Sequence, residues 1–237
     1  MKVEEVFIKG FHDSHLHVMV VQAENAKGNL HIIHGMGEHA KRYTDFALFL
    51  AENGFNVYMH DHRGHGKSLK PNQDVGILNQ EDTLFNMVKD IHYVKDFIET
   101  QHDLPYYLLG HSMGSVITRY FLQTNPNIIV EKAIIMGTLP KYPLIQVKAM
   151  RTLAFLLGLF KSSNLRHHGL ANVLNSGLIK TIENPKTDFD WLSYNQNNVD
   201  LYVQDSLCGY AYNKRFYQSF FKLIDKVNKI SSMKNLK

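Results

Sequence analysis

With one cysteine, Cys208, in 237 residues the chain can form no internal disulfide, which agrees with a reducing compartment. It lacks any apolar stretch near the roughly 18 residues of a membrane span, so no transmembrane helix is expected. Residues 1–10 carry Glu4 and Glu5 and no apolar core of signal-peptide length, and the chain therefore reads as unsecreted and cytoplasmic. Charge of one sign is scarce. With 26 Lys and Arg against 22 Asp and Glu the net charge is +4, and no basic block is interleaved with aromatics, so nucleic acid is not an expected partner. The 14 histidines lack the spacing of a zinc site. His12, His15 and His17 have no third ligand at recognised spacing and read as surface residues. His60, Asp61, His62 and His65 come without an HExxH pattern or a separate acidic ligand, and read as a glycine-rich turn pinned by hydrogen bonds. No metal is expected. What is present is an ordinary globular composition, 44% hydrophobic and 20% charged, long enough for one large domain or a domain with an inserted lid.

The rest of the chain is organised around residues 106–115, Tyr-Tyr-Leu-Leu-Gly-His-Ser-Met-Gly-Ser. Residues 106–109 suit a buried parallel strand, and Val116, Ile117, Tyr120 and Phe121 recur at helical spacing until Asn125-Pro126 ends the helix. Ser112 falls on the turn between them. In Gly110-x-Ser112-x-Gly114 the glycines remove side chains where strand and helix crowd, so a strained elbow can present the hydroxyl over the end of the sheet as a nucleophile. The helix beginning near Met113 aims free backbone N–H groups at any oxyanion forming beside Ser112.

Elsewhere, residues 3–9 and 15–22 read as an opening antiparallel hairpin. Residues 30–34 and 55–59 read as strands flanking a helix whose face carries Tyr43, Phe46, Ala47 and Leu50. The glycine-rich loop His34-Gly-Met-Gly-Glu-His39 turns away from the sheet and can offer N–H groups. Leu84, Val88, Ile91, Val94 and Ile98 mark a long helix, with Asn79, Glu81 and Asp82 favouring its start. A strand over 133–136 is the last of the βα alternation. The apolar run 153–160, Leu-Ala-Phe-Leu-Leu-Gly-Leu-Phe, is too short to span a bilayer and suits a lid or an interfacial helix, although a buried core helix accounts for the same residues. Tyr217, Phe220, Ile224 and Val227 give a final amphipathic helix.

Four stretches together resemble the monoacylglycerol lipase and lysophospholipase branch of the α/β-hydrolases, a group with serine-aminopeptidase-like relatives. They are His34-Gly-Met-Gly-Glu-His39 with Arg42-Tyr43, Asp61-His-Arg-Gly-His-Gly-Lys-Ser68, Gly110-His-Ser-Met-Gly-Ser115 and Asp188-Phe-Asp-Trp-Leu-Ser193. The resemblance implies a mostly parallel sheet with helices on both faces and a helical cap insertion. Residues 1–138 would be core, 139–212 cap and 213–237 a return helix. It implies Ser112 as nucleophile, the backbone N–H groups of Met36 and Met113 as oxyanion hole, and a single-chain lipid ester as substrate. The cap would touch the membrane surface transiently, and no cofactor is needed. In such relatives the triad acid and histidine follow the cap on further strands. No residue here matches either position, so the resemblance implies a core lacking its last strands, the strand at 133–136 left as an open edge, and a triad that these residues do not complete. His111, His167, His168, Asp205 and Asp225 match neither role. Two other readings stand beside lipid ester hydrolysis: a remnant that binds apolar ligands without turnover, and a peptidase on the same fold.

Overall fold

The computed structural model describes residues 2–139, 152 and 165–229. Its centre is a six-stranded sheet ordered β1-β2-β4-β3-β5-β6, formed by β1 Val3–Lys9, β2 His15–Val21, β3 Gly28–Ile33, β4 Phe55–His60, β5 Tyr106–His111 and β6 Lys132–Met136. β1, β2 and β4 pair antiparallel, while β4, β3, β5 and β6 run parallel. The hairpin, the parallel strands and the elbow strand all lie within a residue or two of the stretches that the apolar pattern marks. This is the α/β-hydrolase fold.

Period-two alternation divides the core. From β2, Leu16, Val18 and Val20 enter one apolar layer and Met19 and Val21 the other. The first layer is covered by α2 Leu84–Gln101, α3 Met113–Thr124 and a late helix Lys214–Val227, the second by α1 Thr44–Glu52. In α1 the expected apolar face is shifted. Ala47 and Ala51 are buried, while Phe46 and Phe49 are exposed, because the small alanines let the helix lie close to Val57 and Met59. In α2 every expected apolar position is buried, but the cap is Thr83, whose hydroxyl accepts from the Asn86 N–H at 3.2 Å. β6 lies at the sheet edge with Ile134 and Met136 exposed. Between β6 and the late helix, the described chain forms α4 His168–Ile179 and α5 Gln196–Gln204; the late helix is α6. The apolar run 153–160 lies outside the described residues.

One buried ion pair ties the hairpin turn to α2. Arg63 donates from Nε to Oδ2 of Asp90 at 2.7 Å and from Nη2 to Oδ1 at 2.6 Å, and also bonds the Phe11 and Glu81 carbonyls and the Ser14 hydroxyl. Burial still pushes the Asp90 carboxyl up, against those bonds from Arg63. Asp90→Ala strands a buried guanidinium and is expected to cost about 3–5 kcal/mol, read as a lower urea midpoint. A loss under about 1 kcal/mol would mean that Arg63 finds water instead.

Candidate active site

Ser112 joins β5 to α3 with φ 50° and ψ −116°, a conformation that costs a non-glycine residue about 1–3 kcal/mol and needs tight surroundings to hold it. Those surroundings are backbone. A Cβ on Gly114 would lie 2.0 Å from the Ile33 carbonyl oxygen, and one on Gly110 2.6 Å from the Gly114 carbonyl oxygen. The Ser112 N–H donates to the Met136 carbonyl at 2.9 Å, which fixes the turn against β6. Gly114→Ala is therefore expected to destabilise the chain by about 1–3 kcal/mol through overpacking at the elbow. An unchanged urea midpoint would show that β3 can withdraw without cost.

The loop after β3 wraps over the same end of the sheet. Within it Gly35 donates to Oε1 of Glu38 at 2.6 Å and Gly37 to the Tyr212 hydroxyl at 2.7 Å. The Met36 N–H between them, and the Met113 N–H that opens α3, donate to no group among the described residues. Met36, Met113 and Ser112 line one cavity of about 650 Å³. Glu38, Arg42 and His111 line it together with Leu178, Trp191, Phe220, Phe221 and Ile224. Two amides without a partner among the described residues and a helix N-terminus, on the same cavity as a half-buried serine, are groups that a forming oxyanion requires.

Glu38 braces this loop. Its Oε1 accepts from the Tyr43 hydroxyl at 2.8 Å and lies 3.1 Å from Nδ1 of His111, and its Oε2 accepts from Arg42 at 2.6 Å. Burial alone would raise the Glu38 carboxyl, but the bond to His111 and the charges of His111, His34 and Arg42 outweigh it and hold it at about 2. The loop's other support is a set of buried imidazoles. His34 accepts the His62 N–H at 3.0 Å on Nε2 and donates from Nδ1 to the Gly35 carbonyl at 2.8 Å. Nε2 of His65 lies 2.8 Å from the Tyr212 hydroxyl, and Nε2 of His31 lies 2.8 Å from Nδ1 of His60. Burial pushes all five down, His31 to about 3, His65 to about 4, and His34, His60 and His62 well below the usual range.

Asp61 pins the turn after β4 by accepting from the Ala40 and Lys67 N–H groups at 2.7 and 2.8 Å. It also lies 2.8 Å from Nδ1 of His17. His17 is thus buried in the structure, not a surface residue, because its ring bridges Asp61 and Glu5.

All 14 histidines lie among the described residues, and none hydrogen-bonds the Ser112 hydroxyl. The nearest in sequence, His111, turns its Nδ1 to Glu38 and to the Tyr43 hydroxyl at 2.9 Å. Asp205 pairs with His39, and Asp225 with Lys229. Sequence reasoning passed over the Glu38, Tyr43 and His111 network and, although it marked the apolar face of α6, did not place that face on the cavity. Only the i, i+4 spacing of Glu38 and Arg42 signals the first locally, and the aromatic periodicity of α6 the second.

A family model described as serine aminopeptidase, S33, matches residues 24–235. Among curated relatives, a monoglyceride lipase homolog of Monkeypox virus is 32% identical over 133 residues, covering 54% of this chain and 46% of its own length. The monoglyceride lipase of Rattus norvegicus is 27% identical over 190 residues, covering 78% and 54%. The chain thus spans about half the length of the curated relatives it matches. A thermostable carboxyl esterase from Bacillus coagulans, solved with glycerol, superposes with a TM-score of 0.86 at 24% identity, over 100% of this chain and 77% of that one.

Proposed function

This chain belongs to the serine aminopeptidase, S33, family of α/β-hydrolases, and from that premise we propose that it acts on carboxylic esters of single-chain lipids, monoacylglycerols or lysophospholipids. The observation that carries this reading is the junction of three features at one place. They are the strained Ser112 elbow, the unbonded amides of Met36 and Met113, and a 650 Å³ cavity with aromatic and aliphatic walls. In this reading the Ser112 oxygen attacks the ester carbonyl as its proton passes to a base, the two amides hold the tetrahedral oxyanion, its collapse breaks the ester C–O bond and expels the alcohol with that proton, and water then hydrolyses the acyl-enzyme to the free acid and Ser112. No described imidazole hydrogen-bonds the Ser112 hydroxyl, so this reading assigns no base among the described residues.

In this reading the described part of 139–212 serves as the cap, and α6 returns to the core. The described part of the cap contributes Leu178, Trp191 and Tyr210 to the cavity and exposes Leu165, Tyr194, Leu201 and Val203, a surface suited to brief contact with lipid. Among the described residues no helix is long and apolar enough to cross a membrane.

A second reading has its own support. Because no histidine hydrogen-bonds the Ser112 hydroxyl, the chain can hold an apolar ligand without turning it over. Binding separates lipid from peptide substrates under either reading. Non-hydrolysable monoacylglycerol ethers are expected to bind about fourfold more tightly per added methylene until the cavity is filled. Aminoacyl amides are expected to bind far more weakly. If an aminoacyl amide bound more tightly than a long-chain ether, the lipid reading would be wrong.

A further inference from the structure

We propose that His39, Asp205 and Cys208 form a binding site for a borderline-soft divalent cation of the zinc class. Nε2 of His39 lies 2.9 Å from Oδ2 of Asp205, and these two atoms and the Cys208 sulfur all fall within 4.8 Å of one another. The three supply one nitrogen, one oxygen and one sulfur donor, the donor types that zinc takes in proteins. Bonds of about 2.0–2.3 Å in a tetrahedron hold ligand atoms about 3.3–3.6 Å apart. The His39 and Asp205 atoms need to part slightly and the sulfur to approach, which leaves a fourth position for water or substrate.

The local chain holds these donors in place. Oδ1 of Asp205 accepts the Leu207 N–H at 2.9 Å, which leaves Oδ2 aimed at His39. The Cys208 N–H donates back to the Asp205 carbonyl at 2.9 Å, so the turn brings the sulfur against the same carboxylate. Such outer bonds orient ligands and are part of a working site. His39 and Cys208 are buried, and Asp205, a third exposed, faces the route of entry.

Without a cation, burial and then the Asp205 carboxylate keep the thiol protonated, up to about 12. Binding replaces that proton: the thiol S–H bond breaks, sulfur bonds the metal, and one proton leaves to solvent. The hydrogen on Nε2 of His39 shifts to Nδ1, and Nε2 takes the metal. A divalent cation, a thiolate and a carboxylate then sum to zero charge. Around them Glu38 adds a negative charge and Lys41 and Arg42 positive ones, so the site carries no large adverse field. His39 ends the loop that bears Met36, and Gly209, next to Cys208, donates to the Gly37 carbonyl at 3.0 Å and lines the cavity. A bound cation therefore clasps the two segments that meet at the cavity wall.

The test is a Co²⁺ titration of the 237-residue chain, followed by visible absorption and by competition with Zn²⁺. One equivalent is expected to give tetrahedral ligand-field bands with a thiolate-to-cobalt charge-transfer band, both removed by zinc. Calorimetry in buffers of different ionisation heat should show one proton released per zinc. Cys208→Ala is expected to lose the charge-transfer band and at least about 100-fold in affinity, more than an outer-shell change costs. Asp205→Asn keeps a hydrogen bond to His39, and is expected to keep the sulfur band but lose affinity. Far-UV circular dichroism confirms that both variants fold. Octahedral spectra without a sulfur band in the unaltered chain, or equal affinity in Cys208→Ala, would overturn the proposal and leave an ordinary His39–Asp205 hydrogen bond beside a buried thiol.

Discussion

A monoacylglycerol offered to the purified 237-residue chain is expected to turn over close to the background rate, and free imidazole in the buffer is expected to raise that rate. The reason is the position of the histidines. A serine hydroxyl attacks an ester only as its proton leaves, and none of the 14 imidazoles bonds the Ser112 hydroxyl. In well-studied triads, loss of the base removes on the order of 10⁶ in rate and leaves about 10³ to 10⁴ over water from binding and the oxyanion hole. The cavity of about 650 Å³ has room for imidazole beside a substrate carbonyl. Ser112→Ala should abolish the imidazole dependence, and labelling of Ser112 by a fluorophosphonate should be slow without imidazole and faster with it. Turnover of roughly 10 per second without imidazole would mean that a residue of this chain acts as base. His111 would be the first to replace, since its ring adjoins Ser112 although Nδ1 is committed to Glu38 and Tyr43.

The second large effect is acid sensitivity. His31, His34, His60, His62 and His65 are fully buried, and burial holds each below its ordinary value of 6.5. In the unfolded chain they protonate near 6.5, while in the folded chain His31 stays neutral to about 3, His65 to about 4, and burial holds His34, His60 and His62 neutral well below 6.5. Between those values the unfolded state binds more protons, so stability falls as pH falls. His17 works the other way. Burial would lower it, but Asp61 and Glu5 raise it, so it stabilises the fold below the unfolded value and loses that contribution as pH rises through the folded one. Glu38 and Asp61, both lowered, keep their contributions above their ordinary values of 4.5 and 3.8 and lose them as pH falls from there toward the lowered ones, so above about pH 5 the loss comes from the imidazoles. Below 6.5 His17 is charged in both states and adds no slope, so the five imidazoles give up to about 7 kcal/mol per pH unit once well below that value. Against a total stability of about 5–15 kcal/mol, unfolding is expected near pH 5. The fluorescence of Trp191, followed from pH 8 to pH 3, measures this. A midpoint below about pH 4 would assign acid unfolding to carboxylates instead of the imidazoles.

The elements that sequence made legible are those whose cause is local. Apolar runs of strand length mark β3, β4 and β5, and the glycines around Ser112 mark the elbow, because each answers to sterics within a few residues. The contacts that escaped join distant positions. Glu38 meets His111 across 73 residues, His17 meets Asp61 across 44, and His39 meets Asp205 across 166. A histidine on a strand gives no local sign of whether a carboxylate waits opposite, so His17 reads as a surface residue until the sheet is assembled. At α2 the polar residues Asn79, Glu81 and Asp82 mark the start of the helix but do not single out its cap, Thr83, because that choice depends on where Leu84 enters the core.

β3 lies between two partners that the ribosome delivers at different times. β4 follows it closely, but the register that pairs Asn29 with Tyr106 waits for a strand made much later. At 5–20 residues per second, roughly 4–15 s of synthesis separate the two. Throughout that interval one side of an entirely buried strand, Gly28–Ile33, has no neighbour, and its amides and carbonyls are open to any extended chain. Folding of this sheet is therefore limited by the arrival of β5, and its slow phase should shorten little when the hairpin is stabilised. The segment most in need of a chaperone is the middle of the finished sheet.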